Sequence, residues 1–155
     1  MTNAYRTILH QGKVAYTTIF RHMIENPPPE NAFIVHCTAG KDRTGVFCAI
    51  LLSLCGVDDE IVAEEYSLTE QGLGLWTEHL VQGVVKHTGA SEEAARTMIG
   101  AKRGSMLAAL KMLKSEFGGA AGYFKDECGF SEDEVNKVKQ SLIVEEKPVV
   151  GLPKN

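Results

Sequence analysis

Between Asn31 and Gly56 the chain passes from a short apolar run, Ala32-Phe33-Ile34-Val35, through the polar loop His36 to Gly45, into Val46 to Cys55, which is apolar almost all round. The β-branched bias of the first run, with turn residues on one side and a glycine-containing loop on the other, predicts a buried strand. The second run predicts a buried helix, with Gly56 as its left-handed C-terminal stop. This strand–loop–helix unit constrains the rest of the chain. The helix needs cover on every side, and each strand backbone group left unpaired in the interior costs about 1–3 kcal/mol.

The remaining sequence offers helices for that cover. Tyr5, Ile8, Leu9, Tyr16, Ile19, Phe20, Met23 and Ile24 recur at three- and four-residue spacings, the pattern of one buried helical face. Gly12 is a place for this helix to kink or divide, and Asn26-Pro27-Pro28-Pro29 ends it, because proline lacks the donor and fixes φ. Asp58 caps a helix through Tyr66, Ser91 precedes Glu92 and Glu93 at another start, and Ser131 with Glu134 forms a capping box. Gly118-Gly119 and Gly129 mark ends, and an irregular tail holds Pro148 and Pro153. Trp76, with Leu75 and Leu80, reads as core beside His79 and His87 on an amphipathic helix.

The sum is a mostly helical chain of six or seven helices with one buried strand, forming a single domain over 1–144 followed by a tail over 145–155. No second strand long enough to pair residues 32–36 is visible. The strand is therefore expected to show unpaired edges, or to be completed by another chain or a swapped segment, with self-association following from exposed apolar surface.

A formal charge of -4 leaves no excess positive field for nucleic acid or an anionic membrane, so any anion must be held locally. The polar first residues and the absence of an apolar run long enough to span a bilayer make a cytoplasmic location the default. Cys37, Cys48, Cys55 and Cys128 form no Cys-x-x-Cys pair, which suggests reduced thiols and gives no indication of zinc.

The loop itself carries the chemistry. In His36-Cys37-Thr38-Ala39-Gly40-Lys41-Asp42-Arg43-Thr44-Gly45, a cysteine and an arginine are separated by five residues ahead of a helix. A tight turn there aims backbone N–H groups inward and adds the positive end of the helix dipole, a nest suited to a phosphate dianion. In that field Cys37 ionises more readily and becomes a thiolate nucleophile. Arg43 grips two phosphate oxygens with its planar fork, and Thr44 is placed to donate its hydroxyl to the sulfur. A Walker loop is disfavoured, since it needs glycine at Val35 and a hydroxyl residue at Asp42. The competing reading is an ordinary buried cysteine beside a surface turn.

HCTAGKDRTG resembles the signature of the protein tyrosine phosphatase superfamily, and its GKDRTG form resembles the atypical branch of bacterial and fungal tyrosine and phosphoinositide phosphatases. The resemblance extends through Gly56-Val57, the stretch from Glu64 to Glu70, Gly118-Gly119 to Tyr123, and Gly129-Phe130-Ser131 with its following helix. It implies an α/β fold whose N-terminal strands this chain lacks, since only 36 residues precede Cys37 and most of them read as helix. It also implies a cysteinyl-phosphate mechanism with no metal or cofactor, in which Cys37, Asp42, Arg43 and Thr44 are catalytic. Thr38, Ala39, Gly40, Lys41, Asp42 and Arg43 would bind the phosphate, and His36 and Gly45 would support the loop.

No aspartate precedes Asp42, so Asp42 is either the general acid or a structural aspartate of the loop. Lys41 is read as a second cation at the mouth, favouring multiply phosphorylated substrates such as phosphoinositides. The substrate class is then phosphotyrosine protein, with dual-specificity or phosphoinositide activity as an extension. The alternative is an inactive phosphate-binding module, without turnover, or a truncated fragment.

Overall fold

The computed structural model describes residues 2–144, so the expected irregular tail over 145–155 lies outside the described residues. Helix α1, Thr2–Glu25, runs unbroken through Gly12 and buries the face that its periodicity marks: Tyr5, Leu9, Tyr16, Phe20 and Met23 are all nearly inaccessible. It ends where the prolines require, with the Asn26 N–H donating to the His22 carbonyl at 2.9 Å.

Helix α2, Asp42–Leu54, lies against α1 and buries Val46, Phe47, Ala49, Ile50 and Leu54. Gly56, at φ +85°, closes it as a left-handed stop. Helix α3, Asp59–Ser67, is capped by the Asp58 carboxylate, which accepts from the Glu60 N–H at 2.8 Å. Short α4, Thr69–Leu73, leads into α5, Trp76–Thr88, and α6, Glu92–Ile99, which pack on each other. The long helix α7, Arg103–Phe117, packs on α1 and α3. Then α8, Gly119–Gly122, runs into a π-helical turn, Tyr123–Glu127, and α9, Glu132–Leu142, starts at the expected Ser131–Glu134 capping box.

The core is an aromatic cluster between α1, α2 and the π-helical turn. Phe20 stacks on Phe124 with centroids 3.7 Å apart and tilts against Phe130 at 4.8 Å, while Tyr16 meets Phe47 at 5.0 Å. The wider winding of the turn brings Tyr123 and Phe124 inward together, and the Tyr123 hydroxyl donates to the Leu9 carbonyl at 2.6 Å.

Two expectations are corrected. Residues 32–36 form no strand, and no strand occurs among the described residues. The segment is extended enough that Phe33 and Val35 pack against the core while Ile34 is 90% exposed, but its backbone enters no backbone hydrogen bond among the described residues. The cause is the neighbourhood: helices satisfy their own peptide groups and offer no ladder. Trp76 and Leu75 are also not core, being 69% and 94% exposed. They stand at the start of α5, and the α5–α6 pair buries little beyond Val81 and Ala95.

Because Phe20 touches two aromatic partners and is fully buried, Phe20→Ala is expected to cost about 3–5 kcal/mol of folding free energy. Urea unfolding measures it, and a loss well below that range would show that the cluster is not the core.

Candidate active site

Lys41 occupies the N-cap position of α2 but makes no side-chain cap. The first-turn N–H groups of the helix therefore keep their donor capacity for the loop in front of them. Gly40, at φ +65°, supplies the left-handed residue that turns the chain back over these donors. The Gly45 N–H closes the first turn on the Lys41 carbonyl at 2.7 Å.

Cys37 stands at the centre of this turn, half-buried. Burial alone pushes its thiol up, but hydrogen bonds from the Thr44 hydroxyl and from the N–H groups of Thr44, Ala39 and Gly40 outweigh it and bring the thiol down to about 7. The Thr44 hydroxyl is itself buried and has no fully formed hydrogen bond, so its contact with sulfur is a loose one. Cys48 differs: burial, followed by the Glu65 carboxylate, pushes its thiol up.

Arg43 is exposed and donates through Nη2 to the Thr38 hydroxyl at 3.0 Å, tying the two ends of the loop. Its carbonyl accepts from the Tyr16 hydroxyl at 2.8 Å, which pins the loop to α1. Burial raises the Tyr16 phenol, with the Cys37 and Cys48 thiols adding to the effect, so this donor stays protonated. Cys37 and Arg43 open on a cleft of about 190 Å³ bounded by Tyr16, Ile19, Val35 and His36. His36 is exposed, and its Nδ1–H donates to the Cys37 carbonyl at 3.1 Å, so it touches the cysteine's main chain.

The Asp42 carboxylate accepts from the Lys41 ammonium at 2.9 Å. Behind it lie two phenols sharing a buried hydrogen bond, Tyr5 to Tyr66 at 2.8 Å. Burial pushes the Tyr66 phenol up, with Tyr5 and then Asp42 adding to the rise. Gly45 admits this arrangement, because a Cβ there would come within 2.6 Å of the Tyr66 ring.

The expectation of an exposed Lys41 at the mouth is corrected. Its side chain is 3% exposed, and Nζ donates to the carbonyls of Met98 at 2.8 Å and Gly100 at 3.3 Å. The end of α6 leaves carbonyls without helical partners, and these attract the ammonium. Tyr5, Tyr16 and Tyr66 were missed as site residues. The available signal was the phenol itself: a tyrosine at a fully buried position usually carries a hydroxyl with a partner.

A nest of N–H groups at an uncapped helix start, with a thiol drawn down to about 7 beside an arginine, is an arrangement with the donors to receive an anion. Residues 1–144 match the model of the tyrosine phosphatase family, and the chain belongs to that family. It is 33% identical over 143 residues to a tyrosine-protein phosphatase of Nostoc commune, an alignment covering 90% of this chain and 48% of that protein. It is 26% identical over 122 residues to the triple specificity protein phosphatase PtpB of Mycobacterium tuberculosis, covering 71% of this chain and 43% of that one. The chain thus spans about half the length of the curated relatives it matches. No helix among the described residues is long and apolar enough to cross a membrane.

Alkylation of Cys37 by iodoacetamide should follow its ionisation, slow below and fast above a midpoint near pH 7. Thr44→Val removes one donor to the thiolate and should move that midpoint upward. A wild-type midpoint at the ordinary thiol value of about 8.5 would contradict the geometry.

Proposed function

We propose that this chain carries the catalytic phosphate loop of a cysteine-dependent phosphomonoester hydrolase acting on phosphotyrosine. The observation that carries the reading is the convergence on Cys37 of Thr44 and three backbone N–H groups, with Arg43 opening on the same cleft. The Cys37 thiolate attacks phosphorus, the bond from phosphorus to the leaving oxygen breaks, and Asp42 in its protonated form supplies a proton to that oxygen. Water then attacks the cysteinyl phosphate, Asp42 takes the proton from it, and inorganic phosphate and the thiolate are released.

Amides from Thr38 to Arg43 cradle the non-bridging oxygens, and the Arg43 fork stabilises them as charge redistributes. Thr44 donates to the sulfur as it departs. His36 and Gly45 act by support, the first through the Cys37 carbonyl and the second by admitting Tyr66. Similarity to the triple specificity phosphatase of Mycobacterium tuberculosis favours a substrate range wider than phosphotyrosine. The buried position of the Lys41 ammonium lends no support to phosphoinositide selection by that cation.

The second reading is a phosphate-binding module without turnover. It is favoured by the backbone of residues 32–36, which has no backbone partner among the described residues and leaves the entry to the loop held there by side-chain packing. One variant separates the two readings. Cys37→Ser should abolish hydrolysis of a small aryl phosphate while retaining phosphate binding by calorimetry, because serine offers the same nest but no accessible anionic nucleophile. Turnover surviving in Cys37→Ser contradicts the mechanism, and phosphate binding without turnover in the unaltered chain supports the module.

A further inference from the structure

Lys41 is the only charged side chain buried among the described residues. An ammonium has three donors, and here each has an acceptor: Asp42 Oδ1 at 2.9 Å, the Met98 carbonyl at 2.8 Å and the Gly100 carbonyl at 3.3 Å. None remains for a phosphate oxygen. The corner that supplies the two carbonyls joins α6 to α7 and is gripped from its other side, where the Ala101 N–H donates to Glu70 Oε1 at 2.8 Å. Ala101 itself is fully buried. The Asp42 carboxylate thus pairs with this ammonium on one side and lies near enough to the Tyr66 phenol, itself bonded to Tyr5, to add to its rise.

We infer that the Lys41 side chain is a positioning group: without touching substrate, the ammonium sets the Asp42 carboxylate at the loop and fastens the Met98–Ala101 corner to it. The inference rests on the proposed acid role of Asp42. A positioning lysine transmits its effect through leaving-group protonation, whereas a lysine at the mouth acts through substrate binding. The two roles differ in kcat against KM, in their dependence on the leaving group, and in how the ammonium responds to phosphate. Arginine is not an equivalent, since a planar fork does not reproduce three converging donors in a site this closed.

The test begins on the unaltered protein by nitrogen-15 NMR of the lysine ammonium groups. Lys41 should give a slowly exchanging Nζ signal with contacts to Met98 and Gly100, unmoved by inorganic phosphate. A fast-exchanging signal that shifts with phosphate overturns the inference without any variant having to fold. Kinetics follow with an activated aryl phosphate and an alkyl phosphate. Lys41→Met should lower kcat on the alkyl ester roughly tenfold more than on the aryl ester, with KM nearly unchanged. In an Asp42→Asn background it should add no further leaving-group dependence. Equal losses on both esters in Asp42→Asn overturn the acid reading, and the kinetic half of the inference with it. A leaving-group dependence in Asp42→Asn that Lys41→Met does not share overturns the inference alone.

Discussion

Helix α2 begins without a side-chain cap, and the consequences of that vacancy run through the whole loop. N–H groups at a helix start favour negative charge, and here the N–H of Thr44, with those of Ala39 and Gly40 in the turn, draws the Cys37 thiol down. The same donors that stabilise a thiolate suit the oxygens of a phosphate. The cradle is only as well formed as the start of α2 is fixed. That start is fixed from three directions: Tyr16 on the Arg43 carbonyl, the Tyr66 ring over Gly45, and Lys41 reaching to the α6–α7 corner.

These three supports come from distant parts of the chain, and two of them, Tyr16 and Tyr66, are anchored in aromatic packing. Tyr16 packs on Phe47 of α2 while its hydroxyl holds the loop, so a single residue serves packing and site together. Tyr5 does likewise through Tyr66. The α5–α6 pair is attached more lightly. It buries Val81 and Ala95, and its exposed ion pairs from Arg96 to Glu78 and Glu92 are of a kind that contributes little. It is joined to the rest through α4 and through the corner that Lys41 and Glu70 hold.

The family and the tight turn before α2 were legible in the sequence because a Cys-x5-Arg spacing with its glycines is local, and local geometry follows from local residues. The buried face of α1, the Asp58 cap and the Ser131–Glu134 box were legible for the same reason. What failed was non-local. Ala32 to Val35 has the composition of a strand, but a strand exists only by pairing, and nothing within the segment says whether a partner is present. Lys41 reads as a solvated cation until the carbonyls of Met98 and Gly100, nearly sixty residues away in sequence, are known to lie beside it. Trp76 is apolar enough for a core, yet among the described residues nothing covers it.

The central claim is that Cys37 forms a covalent bond to phosphorus, and it is tested most directly by trapping that bond. The chain would be mixed with an activated aryl phosphate, quenched in acid within the first turnover, and its peptides examined by mass spectrometry. A phosphoryl adduct on the peptide bearing Cys37, formed and lost at rates consistent with turnover, is the predicted result. Turnover without such an adduct, or an adduct confined to another residue, would contradict the account.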